Sequence, residues 1–170
     1  MNIRTARRHE LRALQDIENA ADEIFRRVGM PWVLPMAPAD LGLLESARRA
    51  GRLWVATDGA NRPIGFALLR RLDGMAWLHQ LSVLPRYSGR GIGAALLEQV
   101  CARALRERHA SVFLSTYLGV PWNAPFYTRR GFSVVPLAQY TAAMRLERAH
   151  ERQLGHPIWR RCLMRRDLTV

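Results

Sequence analysis

The stretch LSVLPRYSGRGIGAALL, residues 81–97, decides the fold, because it predicts a strand, then a glycine-rich loop, then a helix. Its three alternating glycines, Gly89, Gly91 and Gly93, let backbone N–H groups approach a ligand without an obstructing Cβ. The helix N-terminus adds unpaired N–H groups and a partial positive charge. The stretch therefore predicts an anion site suited to a pyrophosphate.

The loop can also be interpreted in two other ways. The spacing Gly89-x-Gly91-x-x-Ala94 fits a dinucleotide-binding fingerprint. That fingerprint belongs in a first βαβ unit with an acid ending the next strand, whereas here three strands precede the loop and the strand 111–117 has no acid. A tight turn that merely starts a helix is the second interpretation.

The same loop also carries a resemblance to a known family. Arg86-x-x-Gly89-x-Gly91, followed by Ile92-Gly93 and a Leu-Leu helix, resembles the acyl-CoA motif of the GNAT superfamily of N-acetyltransferases. That motif follows a strand ending Val-x-Pro, which is residues 83–85 here. Residues 123–132, NAPFYTRRGF, resemble the family's second signature, and the order of elements matches over most of the chain. The resemblance implies transfer of an acetyl group from acetyl-CoA to a primary amine, which attacks the thioester directly.

The resemblance also implies which residues bind acetyl-CoA as a co-substrate. The strand before the loop pairs its backbone with the pantetheine arm, like an added strand. The loop amides hold the pyrophosphate, two arginines add charge-assisted contacts, and one asparagine contacts the arm or caps a helix. These residues are Leu81, Ser82, Val83, Arg86, Gly89, Arg90, Gly91, Ile92, Gly93, Ala94 and Asn123.

Catalysis of this kind needs an acid for the leaving thiolate and a base for the ammonium proton. Tyr127 matches the family's usual acid, although packing on its helix is the alternative role. Relatives often carry a glutamate where this chain has Gln80, which cannot usefully accept a proton. His79 matches a catalytic histidine of arylalkylamine-type members and titrates in a useful range. A packed core histidine, with water as the base, is the alternative.

The acceptor pocket is expected from residues 22–38 and 117–122. Their aromatic and methionine side chains suit an apolar or aromatic amine, or a cation held over a ring, although core packing explains part of the set. The side chains are Phe25, Met30, Trp32, Met36, Tyr117 and Trp122.

The order of elements predicts an α+β protein with three layers, helices flanking a mixed, largely antiparallel central sheet. We expect a single domain over residues 1–170. The predicted strands are 2–7, 52–57, 64–71, 75–84, 111–117, one beginning at 132–135, and 158–168; the predicted helices are 9–28, 40–50, 91–108, 121–130 and 140–154.

The formal net charge of +12 invites a nucleic-acid interpretation, but all 26 basic residues are arginine and they are scattered along the chain. Nucleic-acid binders usually mix lysine with arginine on one stripe, so coding bias is the simpler explanation. A basic nucleic-acid-binding module therefore stays the weakest alternative, behind an acyl-CoA-binding protein without turnover.

The remaining sequence features concern the cellular location and the partners of the protein. No apolar run approaches the ~18 residues of a membrane span, and the N-terminus lacks the apolar core of a secretory signal. Cys101 and Cys162 sit in apolar segments without metal-ligand spacing, which predicts reduced core thiols, a cytoplasmic protein and no metal. The last strand alternates basic and apolar residues and could pair across a homodimer.

Overall fold

The computed structural model describes residues 1–168, in which seven strands form one mixed sheet flanked by helices. The strands are β1 (Asn2–Thr5), β2 (Leu53–Thr57), β3 (Pro63–Leu72), β4 (Met75–Val83), β5 (Ser111–Tyr117), β6 (Ser133–Val134) and β7 (Arg161–Asp167). The helices are α1 (Leu11–Asp22), α2 (Leu41–Arg49), α3 (Ile92–Arg106), α4 (Ala124–Thr128) and α5 (Ala142–Gln153). The strands follow the order β1-β2-β3-β4-β5-β7-β6, so the predicted α+β class is confirmed.

The chain divides into two compact units. One contains residues 1–70 and 78–103, and the other contains residues 71–77 and 104–170. The single domain over 1–170 stays a prediction, and its last two residues lie outside the described part of the chain.

The first unit is built on antiparallel pairing of β1 with β2 and of β2 with β3. Every residue of β2 is buried, which agrees with its unbroken apolar sequence. Leu11, Leu14 and Ile17 of α1 lie on one face of that helix and are buried in one cluster with β2 and β3. Leu84, directly after β4, packs against this core at the point where the predicted phosphate loop begins.

Local signals fix the helix ends in this unit. The side chain of Asp40 accepts hydrogen bonds from Gly42 N (2.8 Å) and Leu43 N (3.2 Å), which makes Asp40 the N-cap of α2. The helix predicted over residues 9–28 is α-helical only between Leu11 and Asp22, with 3₁₀ turns on both sides. Hydrogen bonds at the tighter i+3 spacing commonly satisfy the backbone groups at helix ends. Gly29, with a φ of 66°, then ends the helical segment.

The second unit is organised around β7. This strand pairs antiparallel with β5 over its full length, from Ser111↔Asp167 to Tyr117↔Arg161, and with the two residues of β6. The strand predicted from residue 158 begins only at Arg161, because Ile158–Arg160 form a 3₁₀ turn after Pro157. The helix predicted over 121–130 is likewise shorter and spans Ala124–Thr128.

Both cysteines are buried, as predicted. Among residues 1–168, no helix combines the length and apolar character that a membrane crossing requires.

Candidate active site

The loop between β4 and α3 presents an open backbone cradle. A 3₁₀ turn at Pro85–Tyr87 starts it, with Tyr87 N donating to Leu84 O (2.8 Å) and Ser88 N to Pro85 O (3.0 Å). Gly89 and Gly91 then adopt φ of 76° and 77°, a left-handed conformation that favours glycine. A Cβ at either position would meet nothing within 4 Å, so a ligand can approach this backbone closely.

The helix that follows the loop supplies further donors. Its first backbone hydrogen bond runs from Ala95 N to Gly91 O (3.0 Å). The amides of Ile92, Gly93 and Ala94 therefore belong to the first turn, whose N–H groups have no acceptor within their own helix. The cradle and the helix N-terminus together fit a pyrophosphate, and the exposed guanidinium groups of Arg86 and Arg90 fit its charge.

The end of β4 is held tightly against the start of β3. Leu84 N donates to Ile64 O (2.9 Å), and a Cβ on Gly65 would lie only 2.8 Å from Ser82 O. Ser82 is buried, whereas Leu81 and Val83 on either side are half-buried. The three residues predicted to contact pantetheine thus lie on a strand end whose position is fixed by its neighbour.

The predicted base positions lie on the same strand. Gln80, which replaces the family's usual glutamate, donates from Nε2 to Ser82 Oγ (2.9 Å). This hydrogen bond assigns the amide a structural role beside the strand end. His79 precedes it and is half-buried in β4. Neighbouring residues of a strand point to opposite faces, so His79 and Gln80 do not share a face.

Tyr127 and Asn123 lie in and just before α4. Asn123 O accepts the amide hydrogen of Tyr127 (3.1 Å), and the phenol ring meets Phe126 and Phe132 edge-on at 5.1 and 5.6 Å between ring centres. Desolvation raises the pKa of Tyr127 above its ordinary value, with Arg161 and Arg130 acting in the opposite direction. Tyr127 therefore stays protonated at neutral pH, as a proton donor must.

Asn123 sits at the first position before the helix with φ of −111° and ψ of −115°. Within the described residues its side chain accepts no capping hydrogen bond from α4, which removes the alternative role considered from the sequence.

Residues 49–134, half of the chain, match the family model described as "Acetyltransferase (GNAT) domain". The chain is a member of the GNAT acetyltransferase family.

Solved structures agree with this assignment at the level of the fold. A GNAT-family acetyltransferase from Staphylococcus aureus Mu50 is 18% identical, with a TM-score of 0.73 and coverage of 99% of both chains. A Mycobacterium tuberculosis protein in complex with CoA and NLQ is 21% identical, with a TM-score of 0.72 and coverage of 99% of this chain and 100% of that one. The Escherichia coli ribosomal-protein-S18-alanine N-acetyltransferase is 18% identical, with a TM-score of 0.66 and coverage of 99% and 94%.

The GNAT assignment bears on the interpretations of the loop. The glycine-rich segment lies within the residues that match this acyltransferase family, which favours an acyl-CoA site over a dinucleotide fingerprint, and its contact with the coenzyme stays a prediction. Among the described residues, no group of three or more histidine, cysteine, aspartate or glutamate side chains could hold a metal ion.

The predicted acceptor side chains of this GNAT protein are mixed in exposure. Phe25 and Met30 are buried at 7% and 0% exposure and act as core residues of the first unit, whereas Trp32 is 36% exposed. In the second unit Tyr117 is buried, and its hydroxyl lies 2.7 Å from His156 Nδ1.

His156 was not predicted as a polar partner, because its Gly-His-Pro context indicates only the end of a helix. Burial and the charge of Arg161, whose guanidinium lies 4.5 Å from the Tyr117 ring centre, lower the pKa of His156 to about 4. A histidine that is neutral at physiological pH suits a hydrogen-bonding role, and it is a weak base.

A second buried polar group that the sequence did not reveal is Glu18 of α1. Its Oε2 accepts a hydrogen bond from Ala39 N (3.0 Å), while Gln15 Nε2 donates to Ala39 O (3.0 Å). Burial raises the pKa of Glu18 to about 7, and burial raises that of Asp22, one helical turn later, to about 6. These contacts fix the segment before α2, which contains the predicted acceptor residues 30–38.

Proposed function

We propose that this protein transfers an acetyl group from acetyl-CoA to a primary amine of a small-molecule acceptor. The observation that carries the proposal is the open glycine cradle at Gly89 and Gly91, in a chain of the GNAT family. Several structural neighbours hold CoA in their own structures, which supports a coenzyme A thioester as donor. The two free, buried cysteines support a cytoplasmic location, which we propose as well.

Coenzyme binding is assigned to one continuous stretch of chain and one asparagine. The backbone of Leu81, Ser82 and Val83 would pair with the pantetheine arm as an added strand does. The amides from Gly89 to Ala94 would donate to the pyrophosphate, with the guanidinium groups of Arg86 and Arg90 adding charge. Asn123, whose side chain caps no helix, would bind the coenzyme arm.

The chemistry needs little from the protein beyond positioning and proton transfer. The amine attacks the thioester carbonyl, backbone N–H groups stabilise the developing oxyanion, and the thiol leaves with a proton. We assign the proton donor to Tyr127, which desolvation keeps protonated. Since the amide of Gln80 cannot usefully accept a proton, the ammonium proton leaves to water, either directly or through His79.

The names of the neighbours support nitrogen as the acceptor atom. The Escherichia coli neighbour is named for the alanine of ribosomal protein S18, and another, from Neisseria gonorrhoeae, is an N-acetylglutamate synthase complexed with N-acetyl-glutamate. Both names describe N-acetylation, although of different acceptors. We therefore extend the reaction type, and not either acceptor, to this chain.

The first test is thermal unfolding with and without acetyl-CoA. A ligand that binds only the folded state raises its stability by about 2.7 kcal/mol at a hundredfold excess over Kd. We expect a clear rise in Tm with acetyl-CoA. No rise at high excess would contradict coenzyme binding.

The second test is CoA release in a screen of amines, aminoglycosides, amino acids and peptides. Release that depends on an amine identifies both the activity and the acceptor class.

The replacement of the usual glutamate by Gln80 favours one alternative, a GNAT-fold protein that binds acyl-CoA without turnover. That protein would show the rise in Tm with acetyl-CoA but no amine-dependent CoA release. A basic nucleic-acid-binding module would instead bind DNA or RNA with a steep salt dependence that acetyl-CoA leaves unchanged.

A further inference from the structure

The ring of Tyr87 contacts both cations of the loop. The guanidinium carbon of Arg86 lies 5.2 Å from the centre of this ring, and that of Arg90 lies 5.3 Å from it. Both distances fall inside the ~6 Å within which an aromatic ring attracts a cation. Tyr87 is half-buried, whereas both arginines are exposed. One ring thus restrains two long side chains that would otherwise sample many rotamers.

The backbone beneath this ring is itself restrained. Tyr87 ends the 3₁₀ turn at Pro85–Tyr87, and its amide donates to Leu84 O (2.8 Å) directly after β4. Pro85 has a fixed φ at the first position of that turn. The ring is therefore carried on a short, hydrogen-bonded segment attached to the sheet, and it can transmit this order to the two guanidinium groups.

Arg86 and Arg90 place two like charges beside one ring. Two guanidinium groups on one ring repel each other, and the negative face of the ring offsets part of that repulsion. Across residues 1–168, neither Arg86 nor Arg90 forms an ion pair with a carboxylate, whereas Arg48, Arg49 and Arg62 do. A doubly positive site of this kind is complementary to a phosphate, whose oxygens accept hydrogen bonds from the paired N–H groups of guanidinium.

We propose that Tyr87 is a positioning residue that holds Arg86 and Arg90 as one cationic site for a phosphate of coenzyme A. This inference rests on the proposed function, since acetyl-CoA is the ligand concerned. Tyr87 acts by ordering the two arginines before the coenzyme arrives, which lowers the entropy lost on binding. Coenzyme A offers two sources of such a group, its pyrophosphate and its 3′-phosphate.

The first test compares Tyr87→Leu with Tyr87→Phe by calorimetric titration of acetyl-CoA. Leucine removes the aromatic ring while keeping an apolar side chain, so we expect its Kd to rise about three- to tenfold. Phenylalanine keeps the ring face and should bind like the wild type. Both variants should unfold at the wild-type temperature without ligand. Equal Kd values for Tyr87→Leu and the wild type would overturn the inference.

A double-mutant cycle separates positioning from a merely structural role. In an Arg86→Gln, Arg90→Gln background, Tyr87→Leu should cause little further loss of affinity, because the side chains through which it acts are gone. A further loss of the same factor as in the wild type would show that Tyr87 acts by another route, and the inference would fall.

Titration with 3′-dephospho-acetyl-CoA then identifies the phosphate. If Tyr87→Leu weakens only the complete coenzyme, the site binds the 3′-phosphate; if it weakens both ligands equally, the site binds the pyrophosphate. Failure of the wild type to bind either ligand would overturn the proposed function and this inference together. Wild-type binding and amine-dependent CoA release, with an indifferent Tyr87→Leu, would overturn this inference alone.

Discussion

Tyr127 is the residue whose chemistry can be tested most directly. Desolvation raises the pKa of its phenol, so the group is protonated at neutral pH and can donate to a departing thiolate. We predict that Tyr127→Phe lowers kcat about 10²-fold, the lower end of general acid catalysis, and leaves the Kd for acetyl-CoA nearly unchanged. Steady-state rates and calorimetric titration measure the two quantities.

Tyr140→Phe is a matched control for this change. Tyr140 also belongs to the second unit and packs against its core cluster around Trp77 and Met144. Loss of its hydroxyl should leave kcat unaltered. If Tyr127→Phe keeps the wild-type kcat under conditions in which chemistry limits the rate, Tyr127 is not the acid.

The junction of β3 and β4 is the element on which the proposed pantetheine contacts depend. A Cβ at Gly65 would lie 2.8 Å from Ser82 O and 3.3 Å from Val83 Cα, both of them backbone atoms that cannot rotate away. We predict that Gly65→Ala lowers the free energy of unfolding by about 1–3 kcal/mol, because the strands must separate locally. The shifted strand end should also raise the Kd for acetyl-CoA.

Gly59→Ala is the control for this element. A Cβ there would meet nothing within 4 Å, and its φ lies outside the positive range that strains an alanine. Urea unfolding should give the wild-type stability for Gly59→Ala. Equal stability of Gly65→Ala and Gly59→Ala would contradict the close packing of β3 and β4.

Elements with a strong local signal were predictable from the sequence, and those defined by distant contacts were not. The cap at Asp40 and the helix end at Gly29 both follow from local chemistry, because an aspartate before an apolar run and a glycine after one are helix-end signals. The start of β7 was wrong by three residues, because a strand begins where a partner is available, and Tyr117 pairs only with Arg161. The hydrogen bond between Tyr117 and His156 joins residues far apart in sequence, so no local sequence pattern predicts it.

The backbone of the glycine-rich loop was predictable for the same reason that β2 was, since its signals are local. Glycine spacing alone indicates a backbone open to a ligand, and Gly89 and Gly91 have the positive φ that this requires. The cation contacts of Tyr87 depend on side-chain positions, which spacing does not specify. The contacts from which we propose the role of Tyr87 are therefore visible only in the structure.

At the scale of the whole molecule, the arginines that give the net charge of +12 have different roles. Arg4 pairs with Glu10 at 2.6 Å, and Arg148 and Arg161 both pair with the buried Glu151 at 2.9 and 3.0 Å. These arginines stabilise local structure within one unit or the other. Arg86 and Arg90, which contact Tyr87, are the pair for which we propose a phosphate as the partner.

The stability of the molecule should depend on pH through three groups, of which His156 acts in the direction opposite to Glu18 and Asp22. Glu18 has a pKa of about 7 in the fold and 4.5 ordinarily, so the folded state binds more protons between these values and stability falls as pH rises from 4.5 to 7. Asp22 acts in the same direction. His156 has a pKa of about 4 in the fold and 6.5 ordinarily, so stability rises as pH rises from 4 to 6.5.

Because Glu18 and Asp22 both act against His156, we predict that wild-type stability falls as pH rises between 4.5 and 6. Glu18→Gln keeps an acceptor for Ala39 N and removes the titration of that group, which at most contributes about 3 kcal/mol. The fall should be much shallower in that variant, because the effects of Asp22 and His156 then nearly cancel. His156→Asn keeps an acceptor for the Tyr117 hydroxyl and should lose stability more steeply than the wild type as pH rises. Urea unfolding at several pH values measures the slopes, and parallel curves for all three proteins would contradict the assignment of either group.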